Sequence, residues 1–194
     1  QAAAAGAWVH VDGAFGLWAR ASASRKHLTA GIDLADSWSV DGHKWLNLPQ
    51  DSAVYICRDQ EAVADVFATD ATYLMRDHRR QPSNFVPELS RRARGVEFWA
   101  ALKTLGRSGV SDLIDGCCDH ARQLADGLTA IGYEVLNDVV LNQVVFCCDS
   151  AKRNRAVLDF IQRSGKIWLG PTTWRSRSAM RISVSDAVSG GFIT

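Results

Sequence analysis

Two short apolar runs, each stopped by a polar turn, constrain this chain more than any other feature. Trp8-Val9-His10-Val11-Asp12 reads as a buried strand ending on a carboxylate, and Gly13-Ala14-Phe15-Gly16 follows as a turn. Residues 36–40 read as a second strand, closed by Asp41-Gly42, a strong turn signal. The connection between the two is long enough for a helical crossover, and residues 52–57, rich in strand formers, read as a third strand. Strands joined in this way favour a parallel sheet of α/β type.

Downstream, residues 69–87 read as a long polar loop containing Pro82 and Pro87, of the kind that is functional or mobile inside a compact domain. Residues 88–105 read as a helix with Leu89, Ala93, Val96 and Ala100 on one stripe, Trp99 widening it and Gly106 stopping it. Ser111 is placed to cap the next helix. There Ile114, Cys117, Ala121, Leu124, Leu128 and Ile131 alternate spacings of three and four, up to Gly132. Residues 141–148 read as a strand, 152–164 as a helix stopped by Gly165, and 166–169 as a short strand. In residues 179–185, Met180, Ile182 and Val184 alternate with Arg181, Ser183 and Ser185, which describes a sheet with one face buried.

This pattern divides the chain into residues 1–110, the end of a large α/β domain, and residues 111–194, a linking helix and an incomplete small α+β domain. The chain has no initiator methionine and strand-like runs near both ends, so it reads as a piece of a longer protein.

With 47% hydrophobic and 22% charged residues the chain is composed like a folded globular protein. Its net charge of +1 gives no basis for a nucleic-acid or acidic-membrane partner. The clusters His78-Arg79-Arg80 and Arg91-Arg92-Ala93-Arg94 read as solvated faces or subunit contacts. The apolar runs are too short to span a bilayer, and QAAAAGAW lacks the parts of a secretory signal. Cys57, Cys117, Cys118, Cys147 and Cys148 show no C-x-x-C spacing, which suits free thiols in a cytoplasmic setting.

In open α/β sheets, ligands bind outside the carboxyl ends of the parallel strands. Asp12 ends the first strand, and Lys44 follows the second by one turn. If the strands are neighbours, a carboxylate and an amine converge there. A carboxylate can hold a heterocyclic nitrogen protonated, and an amine can form an imine with an aldehyde, the two groups a pyridoxal phosphate enzyme needs most. The aromatic neighbour Trp45 would help to keep water from that amine. Each residue also has a plainer role, a solvated turn lysine and a turn-forming aspartate. A metal site drawing on His10, Asp12, Asp41 and His43 is the other chemical possibility, but no third local ligand pair accompanies them.

His10-Val11-Asp12-Gly13-Ala14, then Ala35-Asp36-Ser37, then His43-Lys44-Trp45-Leu46-Asn47, resembles the group II pyridoxal phosphate-dependent decarboxylases, which act on glutamate, aromatic amino acids, histidine and diaminobutyrate. Residues 87–94 are similar to that family's entry into a long helix, and residues 179–185 to its C-terminal-domain strand. The resemblance implies the fold-type-I transferase fold, pyridoxal 5'-phosphate as cofactor, a homodimer, and release of CO₂ from an L-amino acid through a lysine-bound internal aldimine. It assigns that bond to Lys44, the pyridine nitrogen to Asp12, one ring face to Ala14, and the phosphate or the strand end to His43.

Two departures stand out. Gly13 replaces the family's middle alanine of Asp-Ala-Ala, which would free the backbone. In the 69–87 loop the tyrosine expected to reprotonate the substrate carbon has only Tyr73 as a counterpart, at the loop's beginning. Phe85 stands near its end, where related sequences carry tyrosine, and His78 is an alternative proton donor. Loss of the hydroxyl would favour an aldehyde product, so an aldehyde-forming synthase or an aminotransferase of the same fold is the rival expectation, with an inactive fragment as another. Arg181 is a candidate for a substrate carboxylate or for a structural ion pair.

Overall fold

The computed structural model describes residues 3–68 and 80–185. The first run builds a three-stranded sheet, β1 (His10–Asp12), β2 (Ser37–Asp41) and β3 (Ala53–Cys57), in that order. β1 and β2 are parallel, with Asp12 opposite Ser39. The parallel pairing expected of the first two strands thus holds, while β3 is antiparallel to β2 and makes the sheet mixed. The 42–52 connection, eleven residues with one helical turn, accounts for the antiparallel return, because a parallel return needs a crossover of about a dozen residues or more.

The crossover between β1 and β2 is not an α-helix. It runs through three 3-10 turns, Gly16–Ala21, Lys26–Thr29 and Ile32–Leu34. Gly31 makes the last of these joints possible with φ 81, a left-handed conformation that favours glycine. Arg25 anchors this crossover to the long helix by pairing with Asp115 and, at 2.8 Å, with Asp119, while the Ser22 and Ser24 hydroxyls donate to Asp115.

After β2 comes a single helical turn, α1 (Gly42–Trp45), and after β3 a short helix, α2 (Gln60–Phe67), capped by the Asp59 carboxylate on the N–H groups of Glu61 and Ala62. α3 spans Gly95–Ala130 and breaks at Gly106, whose φ of 65 lies outside helical geometry. The expected start of this helix at residue 88 is therefore wrong, and so is its stripe. Leu89 and Val96 are 50% and 61% exposed, and the residue turned inward is Phe98. Ser111 lies inside the helix and not at its cap.

Beyond the break the expected stripe holds. Ile114, Cys117 and Ala121 are fully buried and Leu124 and Leu128 pack against them, while Ile131 is exposed past the helix end. Gly132, with φ 90, follows that end.

The C-terminal part is an antiparallel sheet in the order β4 (Glu134–Val135), β5 (Gln143–Cys147), β7 (Arg177–Ser183) and β6 (Gly170–Trp174), with α4 (Ala151–Ser164) packed on it. Ser150 caps α4, and Gly165 ends it in a left-handed conformation. The strand expected at 166–169 forms instead at 170–174, and Pro171 is tolerated because β6 is an edge strand. One apolar core joins both parts, running from Trp18 and Trp45 through Phe98 and Ile114 to Phe146 and Met180. Among the described residues no helix is long and apolar enough to cross a membrane.

Candidate cofactor site

The two strand ends are locked together by their own sequence motifs. The Asp36 carboxylate accepts from the Val9 N–H at 2.7 Å, and the buried Ser37 hydroxyl meets Trp8 Nε1 and His10 Nδ1, each at 2.8 Å. Ala35-Asp36-Ser37 thus pins the start of β1 to the start of β2, which fixes the parallel register and sets Asp12 beside Ser39.

Past the strand ends, the turn after Asp12 is bound to the turn that carries Lys44. Gly13 N donates to Ser39 O at 2.9 Å, Trp18 Nε1 donates to Asp41 O at 2.9 Å, and Trp45 Nε1 donates to Phe15 O at 3.2 Å. Gly13 serves close approach more than backbone freedom. A Cβ there would stand 2.6 Å from Leu17 Cβ and 2.8 Å from Ser39 O.

Asp12 is exposed at the end of β1, and its Oδ1 accepts from the Ala14 N–H at 3.1 Å. No donor reaches Oδ2 among the described residues, so that oxygen is open to a ligand nitrogen. A cleft of about 380 Å³ adjoins it, lined by Gly13, Gly16, Leu17 and residues 28–32. Ala14 is half-buried next in the chain, with only a methyl to offer a flat ligand.

Lys44 is half-buried in α1, with Nζ 5.0 Å from the centroid of the Phe15 ring. No carboxylate pairs with it among the described residues. His43 directs Nε2 toward Asp41 at 3.5 Å, while its Nδ1 is buried without a hydrogen-bond partner. A buried, unsatisfied ring nitrogen beside a lysine suits an anionic ligand group. The donor set therefore fits pyridoxal phosphate: an open carboxylate oxygen for a ring nitrogen, an amine for an aldehyde, and an orphan imidazole nitrogen for an anion.

The sequence missed Phe15, which the fold brings beneath Lys44. An aromatic residue three places after Asp12 was its only signal. The other candidates lie elsewhere. Phe85, in the 3-10 turn Pro82–Phe85, has Arg80 stacked 4.1 Å above its ring. It faces an apolar groove of about 660 Å³ that also involves Trp8, Tyr55, Val66, Phe67 and Pro87. Tyr73 and His78 lie outside the described residues. Arg181 is exposed on β7 with no acidic partner among the described residues. His10 stacks on Tyr55 at 6.0 Å, and no group of three ligand-type side chains able to hold a metal occurs among the described residues.

The model of the pyridoxal-dependent decarboxylase conserved domain matches residues 2–149, and these include both turns. The chain belongs to that family. It is 30% identical over 183 residues to an aromatic-L-amino-acid decarboxylase of Drosophila lebanonensis, covering 91% of this chain and 45% of the relative. To the enzyme of the same name from Bos taurus it is 29% identical over 192 residues, covering 92% and 38%. Among solved structures, Oryza sativa TDC with PLP and tryptamine superposes with a TM-score of 0.88 at 23% identity, covering 95% of this chain and 41% of that one. The fold is thus that of the fold-type-I pyridoxal phosphate decarboxylases, and the chain spans less than half the length of these relatives.

Proposed function

We propose that the whole protein is a pyridoxal phosphate-dependent carboxy-lyase that releases CO₂ from a small L-amino acid, working in the cytoplasm as a homodimer. In this reading residues 1–110 are the C-terminal part of the cofactor-binding large domain. Residues 111–194 are the linking helix and part of the small domain. The observation that carries the reading is the interlocked pair of turns, one bearing an open carboxylate oxygen on Asp12 and the other an amine on Lys44 that has no acidic partner among the described residues.

When bound, the cofactor supplies an electron sink next to the substrate's α-carbon. The chain's own residues do the rest. Asp12 Oδ2 would accept a hydrogen bond from the protonated ring nitrogen, and the ionised carboxylate would keep that nitrogen cationic. Lys44 Nζ would be the amine that holds the cofactor's aldehyde carbon between turnovers. Ala14 leaves a flat space against one ring face. His43 Nδ1 would donate to the phosphate, while Asp41 stands 3.5 Å from the other ring nitrogen. The buried Trp45 closes the base of the lysine turn against water.

The test of the reaction is product analysis with the full-length protein over a panel of L-amino acids. Stoichiometric CO₂ and amine support the decarboxylase. A keto acid, or an aldehyde with consumption of oxygen, would replace it with an aminotransferase or an aldehyde-forming synthase on the same site.

A further inference from the structure

We propose that Phe15 is a positioning residue for Lys44, presetting the amine before the cofactor arrives; this rests on the cofactor reading above. The Phe15 ring lies 5.0 Å from Lys44 Nζ, within the reach of a cation–π contact. Lys44 has no carboxylate partner among the described residues, so the ring face supplies the electrostatic contact that an acid would otherwise provide.

Trp45 holds Phe15 through both its ring and its backbone. The Phe15 ring meets the Trp45 indole edge-on, with centroids 6.5 Å apart and planes at 68°. Its own carbonyl accepts the Trp45 Nε1 hydrogen at 3.2 Å. Trp45 is fully buried, so this support does not move with solvent.

Phe15 therefore belongs to the aspartate turn by sequence and to the lysine turn by contact. A lysine head at the end of a long flexible stem costs conformational entropy to place, and a preset position lowers that cost when the cofactor is bound. An aliphatic residue at position 15 would keep the packing on Trp45 and lose the attraction for the ammonium. A carboxylate at that position would fix the lysine in an ion pair and hinder its release. A ring face holds the amine without competing hydrogen bonds.

The experiment uses the full-length apo protein as parent, F15L, F15M and F15Y, each checked for folding by near-UV circular dichroism. Pyridoxal phosphate loading is followed by borohydride trapping and quantitation of the modified Lys44 peptide over time. A contact of this kind predicts loading about two- to fivefold slower in F15L and F15M, with F15Y restored to the parent rate. A second readout needs no cofactor: reductive ¹³C-methylation, with the Lys44 signal assigned through K44R. Ring current should displace that signal in the parent and F15Y and not in F15L.

Equal loading by all four proteins, equal slowing in F15Y and F15L, or an undisplaced Lys44 signal in the parent would overturn the proposal. A displaced signal with no trapped adduct on Lys44 would instead refute the cofactor reading while upholding the ring contact.

Discussion

In the C-terminal sheet, Val144, Phe146, Met180 and Ile182 are at most 2% exposed, whereas in the first sheet only Ser37 and Val40 are buried and Tyr55 is 52% exposed. The C-terminal region is organised by burial: alternating apolar side chains on β5 and β7 face α3 and α4. The first region is organised by directed bonds: Asp36 to β1, Gly13 to β2, and the indoles of Trp18 and Trp45 to carbonyls across the turns. Burial tolerates approximate geometry, while a constellation of reacting groups does not. The proposed cofactor residues, Asp12 and Lys44, stand on the region whose geometry is fixed bond by bond.

The sharpest way to separate the two regions is to remove a side chain from each. Lys44→Ala should abolish borohydride-stable attachment of pyridoxal phosphate to the lysine turn and leave the melting temperature of the full-length protein nearly unchanged, since half-exposed sites contribute little. Peptide mapping and calorimetry on the same preparation check both halves. Ile114→Ala should do the reverse. It empties a fully buried position and should cost about 2–5 kcal/mol by denaturant titration, with attachment to Lys44 retained in the folded fraction.

Gly42→Ala probes the boundary where the regions touch. A Cβ there would stand 2.6 Å from the Phe98 ring and 2.8 Å from Leu48 Cδ1. Over-packing of this kind should cost about 1–3 kcal/mol. Because α1 must shift, it should also slow cofactor attachment, an outcome neither of the first two variants shares.

The smallest expected effect is at Asp51, which follows the lysine turn. It accepts from Arg92 at 2.6 Å and from Arg94 at 2.9 Å, and so ties the approach to α3 to that turn. Arg92, then Arg94, hold the Asp51 carboxyl down at about 2. A carboxyl lowered on folding contributes stability above its ordinary range and loses it as pH falls through the folded value. The contribution should therefore be complete at neutral pH, begin to fall as the pH drops through the ordinary carboxyl value of 3.8, and be largely gone by about pH 2. Asp51→Asn should flatten the acid limb of stability against pH and change little at neutrality, because the pair is exposed to solvent. An unchanged acid limb would show that the clamp carries no stability.

Much of this was legible in the sequence, for local reasons. Period-two alternation marked β7, the three–four spacing marked α3 beyond Gly106, Gly165 marked the end of α4, and Asp41-Gly42 marked the end of β2. That the turns after Asp12 and around Lys44 lie together was legible because both follow ends of neighbouring parallel strands, where sheets of this kind bind ligands. What stayed hidden depends on partners distant in the chain. The start of α3 slips to Gly95 as Arg92 and Arg94 are drawn to Asp51, a contact with no local signature. β6 lies at 170–174 and accommodates Pro171 only because it is an edge strand, a place in the sheet with no local signature. α2 carries a local signal in Asp59, whose carboxylate caps its first turn. Phe15 escaped notice because its role arises only when two turns, separated by the whole crossover, close on each other.

The central claim is that the turn after Asp12 and the turn bearing Lys44 form one pyridoxal phosphate site. Its most direct test is borohydride reduction of the full-length holoprotein, followed by peptide mapping. A phosphopyridoxyl group on the peptide that contains His43-Lys44-Trp45, and on no other lysine, is the predicted result. A well-folded, cofactor-saturated protein with the group on a different lysine, or on none, would contradict it.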